Sequence, residues 1–304
     1  MGLAPALVPP PPALHAETQR TRPLELKDPL NRYLYHPLAA RLARLLQPTG
    51  ISPNAVSVAG MLCAWSAGLA FASLPWPQGP WVGFVLLLGW HVIDGTDGDL
   101  ARLTGRASAT GELVDGLCDY GAQLGLYVVL AAMLDDRIGG WAWALAFAAA
   151  LAHAVQTNHA ESYRRSYLWW AYGVPWIKLS PGGEVRQRSG LARVFAPLLN
   201  TYLRVADAMA PHAGRIDAIA AAAAGQPIRQ QRIRRLVRQA WRGSLRYEKL
   251  LGPNPRTIML GLAMLLGSPL WFFLGELLLL NALLVVSLAH HNAVLRRLAR
   301  HLGS

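Results

Sequence analysis

His91-Val-Ile-Asp94-Gly-Thr-Asp97-Gly98-Asp-Leu-Ala101-Arg102, followed after eight intervening residues by Gly111-Glu-Leu-Val-Asp115-Gly-Leu-Cys-Asp119, is the stretch that decides the architecture. On a helix, residues three, four, seven and eight apart share a face. Asp94, Asp97, Gly98, Ala101 and Arg102 therefore project from one helix, and Gly111, Asp115 and Asp119 from the next. The connection, Leu103 to Thr110, is short enough to make the two helices antiparallel neighbours. Four carboxylates can then converge on one pocket at the end of a helical pair.

Both helices continue into apolar sequence. Hydrophobic residues make up 53% of the 304-residue chain and charged residues 15%, against about 25% charged in a soluble domain. A hydrocarbon core takes roughly 20 residues of helix, and six such spans are expected. They run from about Asn54 to Leu74, Trp81 to Leu103, Thr110 to Leu134 and Gly140 to Ala160. The fifth starts near Thr257 and meets the sixth, which ends near Val294, around Gly267-Ser268-Pro269. Ahead of them, Leu38, Leu42, Leu45 and Leu46 share one face between Pro37 and Leu46, with Arg41 and Arg44 beside it. That pattern predicts a short amphipathic helix lying in the membrane interface. The fold class expected is all-α integral membrane, six transmembrane helices preceded by an amphipathic interfacial helix.

Residues 1–27 read as a disordered tail, its Pro9–Pro12 run lacking the pattern of a signal peptide. The membrane domain is expected over 28–298, with 161–255 a basic cytoplasmic or interfacial insert and 299–304 a C-terminal tail. Net charge is +12. With both termini cytoplasmic, all Lys and Arg save Arg137 fall on the cytoplasmic side, as the positive-inside rule requires. Lipid headgroups and topology thus account for the charge, and no nucleic-acid partner is expected. In the insert, Arg229, Arg232, Arg235, Arg238 and Arg242 recur at helical spacing while Ile233, Leu236, Val237 and Trp241 fall on another face. A solvated helix and an interfacial helix gripping anionic lipid both fit. Cys63 and Cys118 lie in apolar segments and form no disulfide framework.

Four like charges at a membrane boundary repel one another, and ionisable groups there are costly. Divalent cations relieve this. Oxygen-only ligation favours Mg²⁺ or Mn²⁺ over zinc, and two ions about 3.5–4 Å apart could grip a diphosphate. Glycines among the acids allow a ligand close to the backbone, and Arg102 offers a fork of donors to phosphate.

The spacing D-x2-D-G-x2-A-R-x8-G-x3-D-x3-D is matched at every fixed position by Asp94, Asp97, Gly98, Ala101, Arg102, Gly111, Asp115 and Asp119. The stretch resembles the signature of the class I CDP-alcohol phosphotransferases (CDP-alcohol phosphatidyltransferases). Six spans, a preceding amphipathic helix and Pro53-Asn54 before span one resemble that family too. The resemblance implies that Asp94, Asp97, Asp115 and Asp119 hold a pair of Mg²⁺ or Mn²⁺ ions, and that Asp119 is the general base for the acceptor hydroxyl. It further implies that Asn54, Gly98, Ala101, Arg102 and Gly111 line the CDP site, that CMP leaves, and that the enzyme is a homodimer; the charge asymmetry places the site on the cytoplasmic side. CDP-diacylglycerol is the expected donor and a polar alcohol the acceptor. The alternatives are CDP-choline or CDP-ethanolamine headgroup transfer to a lipid hydroxyl and, from another class, a cation transporter.

Other readings are weaker. Asp99 and Glu112 lie off the shared face and read as ordinary interfacial acids. An EF-hand loop fails because its ligand–glycine order differs and no closing acid follows. His91 reads as packed rather than bracing a carboxylate. His153, His159, Glu161, Arg164 and Arg165 could bind an acceptor's phosphate, although with Tyr163, Tyr167, Trp169 and Trp170 they read better as an interfacial belt.

Overall fold

The computed structural model describes residues 23–26, 28–174, 204–205 and 208–303. All regular structure among the described residues is helical. The helices that matter are α1 (His36–Leu46), α2 (Pro53–Ser73), α3 (Gln78–Leu103), α4 (Ala109–Ile138), α5 (Trp141–Tyr172), α6 (Ala213–Ala222), α7 (Pro227–Trp241), α8 (Leu245–Leu250), α9 (Pro253–Leu265), α10 (Leu270–Leu274) and α11 (Asn281–Gly303). Among the described residues, three stretches are long and apolar enough to cross a membrane: Pro53–Ser73, Thr110–Ile138 and Leu270–Leu302. The other three expected spans are helical, but α3 carries its acids inside it and α9 has only 13 residues. Most of the tail expected over 1–27 lies outside the described residues. Leu24–Leu26 forms a single 3-10 turn with Leu26 buried, so the tail does not extend unstructured to 27. The expected tail at 299–304 is also shortened, because α11 continues to Gly303.

The chain divides into two compact units. One comprises Lys27–Gln156 and Lys249–Leu283. Here α2 packs along α3 and α4, while α1 and α9 lie against α3. Small residues let the helices approach: a Cβ on Gly83 would stand 2.3 Å from the buried Phe71 ring. Helix α1 turns Ala39 and Ala43 to the protein and leaves Leu38 and Leu45 exposed. A methyl on Gly95 of α3 would meet the Ala39 Cβ at 3.2 Å, so the contact is close.

Deep in this unit lies a polar network the sequence left uninterpreted. Glu276, fully buried in the π turn Gly275–Leu280, accepts from Arg256 Nε at 3.0 Å. Arg256 also donates to Gln156 Oε1 at 2.6 Å and to the Leu251 carbonyl at 2.5 Å. His153 Nδ1 is 3.5 Å from the same Glu276 oxygen.

The other unit comprises residues 157–248 and 284–304 together with the N-terminal residues to Leu26. α5 runs twelve residues beyond the expected end at Ala160. Glu161 with Arg164 and Arg165, at spacings of three and four, supports that extension. The aromatic residues that follow form no exposed belt. Tyr163, Tyr167 and Trp170 are buried at 4%, 1% and 1% exposure around a fully buried Trp241 from α7. Their spacing of four and three made one helix face, and the α7 stripe Ile233, Val237 and Trp241 covers it. The arginines at 229, 232, 235, 238 and 242 are exposed, as their spacing predicts.

Candidate active site

Local sequence sets the hairpin that carries the acids. α3 ends at Leu103, Gly105 turns the chain with φ +66°, and Ser108 caps α4 by accepting from Gly111 N at 3.1 Å. Across from it, α2 starts at Pro53 behind the cap Ser52, whose hydroxyl accepts from Ala55 N. This fixes Asn54 and Ser57 on one face, three residues apart.

The structure brings the four aspartates together. Asp94, Asp115 and Asp119 each offer an oxygen such that all three lie within 4.8 Å of one another. The carboxyl of Asp94 interacts directly with that of Asp119, and Asp97 with Asp115. Asp97 is the deepest at 4% exposure. One of its oxygens accepts from Ser57 Oγ at 2.5 Å and the other from its neighbour Gly98 N at 2.5 Å. Asp119, by contrast, is exposed, as a group meeting an acceptor from outside needs to be.

Ser57 was missed in the sequence. Its signal was present but weak: it follows Asn54 by one turn, and a serine inside an apolar helix usually bonds its own backbone. Ser57 does lie 3.3 Å from the Pro53 carbonyl, but its shorter bond crosses to Asp97.

The remaining expected residues fall around the cluster. Asn54 Oδ1 lies 3.7 Å from where a Gly111 Cβ would stand, which brings α2 to the start of α4. Arg102 folds back so that Nη1 would be 3.3 Å from a Gly98 Cβ, while Nη2 donates to Asp99 at 2.5 Å. Asp99 is therefore the partner of Arg102 rather than an independent interfacial acid. Ala101 is half-buried, and its carbonyl accepts from Arg106 N at 2.9 Å.

Histidines do not join the cluster. His91 bonds Thr257 Oγ1 at 2.7 Å between the rings of Tyr35 and Trp90, a packed role. His153 faces Glu276, and His159 bonds Ser287 Oγ at 2.9 Å. Arg164 and Arg165 both spend their donors on Glu161. Burial alone would raise the Glu161 pKa, but the hydrogen bonds and charges of the two arginines outweigh it and bring it down to about 2.

An all-carboxylate donor set at this spacing fits a hard divalent cation, which takes oxygen ligands. Buried Asp97, held by two short hydrogen bonds, gives the set a fixed anchor.

Residues 50–172 match the family model for CDP-alcohol phosphatidyltransferase. The matched range contains all four aspartates, Asn54 and Ser57. No curated protein sequence matches the chain significantly.

Proposed function

The chain contains a CDP-alcohol phosphatidyltransferase domain, and from that premise we propose that it transfers a phosphatidyl group from CDP-diacylglycerol to the hydroxyl of a polar alcohol, releasing CMP. The domain supports a membrane phosphotransferase of lipid biosynthesis, and its family acts on CDP-linked donors and alcohol acceptors. The observation that carries the finer reading is the convergence of Asp94, Asp97, Asp115 and Asp119 from two antiparallel helices.

In this reading Asp94, Asp97, Asp115 and Asp119 would hold Mg²⁺ or Mn²⁺. The bound ions would neutralise the diphosphate and the charge developing on CMP. Asn54, Gly98, Ala101, Arg102 and Gly111 receive the nucleotide and diphosphate. Gly111 leaves the backbone open beside Asn54, and Arg102 swings its fork between Asp99 and phosphate. Asp119 takes the proton from the acceptor hydroxyl, whose oxygen forms the new P–O bond as the bond to CMP breaks. Its exposure beside three more buried carboxylates suits that exchange.

The site would face the cytoplasm, with both termini on that side, since the expected six-span order would then put nearly all the cationic residues on that side, as the positive-inside rule favours. Headgroup transfer from CDP-choline or CDP-ethanolamine uses the same CDP contacts.

The test is CMP release by the purified chain in lipid or detergent, with a panel of CDP-linked donors and alcohols and Mg²⁺ or Mn²⁺. CMP should appear with CDP-diacylglycerol and one acceptor class, and Asp119→Asn should abolish it. Cation flux across sealed vesicles without CMP release from any pair would instead identify a transporter.

A further inference from the structure

Among the described residues, the unit built from residues 157–248 and 284–304 has many more arginines than acids. Its described acids are Glu25, Glu161, Asp217 and Glu248. Glu25 accepts from the hydroxyls of Tyr167 and Tyr172, and Asp217 from Trp170 Nε1 at 2.7 Å. Glu161 holds Arg164 and Arg165, and Glu248 lies in the field of Arg164. Each is committed within the protein.

Elsewhere in the unit, His212 and Arg215 at the start of α6 and Arg296, Arg297 and Arg300 near the end of α11 line one groove of about 520 Å³. Ala299, 3% exposed, contributes to its apolar base. All four arginines are exposed, and among the described residues no acidic side chain lines the groove. Helix-end electrostatics explain only part of this. Cations suit the last turns of α11, but Arg215 stands in the first turn of α6, where the helix dipole disfavours a cation. Bringing it opposite three more guanidiniums adds repulsion that an anion would relieve. Arginine forks match phosphate oxygens in geometry as well as charge.

We propose that this groove is a binding site for a phosphate-ester anion, gripped by Arg215 from one helix and by Arg296, Arg297 and Arg300 from another. The three arginines end the apolar stretch Leu270–Leu302, a candidate span. The phosphate of a phospholipid headgroup at the membrane surface is therefore one source, and a free phosphate ester from the aqueous side is the other.

The experiment measures binding to the full chain in neutral detergent by thermophoresis. Three probes are used: dihexanoyl-phosphatidylglycerol, dihexanoyl-phosphatidylcholine and inorganic phosphate. Wild type is compared with R296Q/R297Q, with R215Q, and with R229Q/R232Q on the separate exposed face of α7. The proposal expects R296Q/R297Q to bind phosphatidylglycerol about 30-fold more weakly. R215Q should lose less, and R229Q/R232Q should match wild type. Preference for phosphatidylglycerol over inorganic phosphate assigns the lipid source, and equal sensitivity of inorganic phosphate assigns the free ester. Unchanged binding in R296Q/R297Q and R215Q overturns the site. So does an equal loss in R229Q/R232Q, which would show a diffuse charge effect. Phosphatidylglycerol binding that is lost in D119N but retained in R296Q/R297Q places the lipid at the carboxylates and also overturns it.

Discussion

Replacing Ser57 by alanine should slow phosphatidyl transfer without unfolding the protein. Ser57 is buried at 6% exposure and its hydroxyl donates to Asp97 Oδ2 at 2.5 Å, so no water can readily take its place. A hydrogen bond to a charged group contributes about 1.5–3 kcal/mol. Since ~1.4 kcal/mol is a factor of ten in rate, the full range corresponds to roughly 10–150-fold in kcat/KM. Asp97 keeps its second bond from Gly98 N, so the lower end, about 10–30-fold, is expected. Because the loss acts through the carboxylate, the divalent ion concentration for half-maximal activity should also rise. The assay is CMP release across a series of Mg²⁺ concentrations, with thermal unfolding alongside. A kcat/KM within twofold of wild type and an unchanged Mg²⁺ requirement would refute the positioning role. A large fall in unfolding temperature would show that Ser57 acts on packing instead.

Three further outcomes follow from the packing and the charges. Glu276→Ala should destabilise the protein by about 3–5 kcal/mol because it strands the buried Arg256 charge, whereas R256M/E276M should recover most of that loss in equilibrium unfolding; equal losses would mean the ion pair is not the cause. Gly83→Ala should cost about 1–3 kcal/mol, since its methyl would meet the buried Phe71 ring at 2.3 Å, and G83A/F71L should restore stability. The depressed Glu161 pKa implies stability that is fully present above pH 4.5 and is lost as pH falls towards about 2; unfolding temperature measured across that window should fall less steeply in E161Q than in wild type.

Much of the site was legible from local chemistry. The three- and four-residue spacing of Asp94, Asp97, Asp115 and Asp119, with only a short connection between their helices, was enough to bring them together, because helix periodicity and antiparallel return leave few alternatives. The apolar lengths announced membrane helices, and the five-arginine face of α7 came out exposed as its spacing required. Tertiary structure decided what periodicity could not. Tyr163, Tyr167 and Trp170 had the composition of an interfacial belt, and only the apolar stripe of α7 lying on them made them core. Asp99 pairs with Arg102 a single turn away on its own helix, a contact that spacing already allows, whereas Glu276 became the buried counter-ion of Arg256, twenty residues away, only in the folded unit. Ser57 became a ligand of Asp97, forty residues away, only when α2 packed on α3. A helical repeat specifies which residues share a face; which foreign side chain completes that face depends on contacts between segments far apart in the chain.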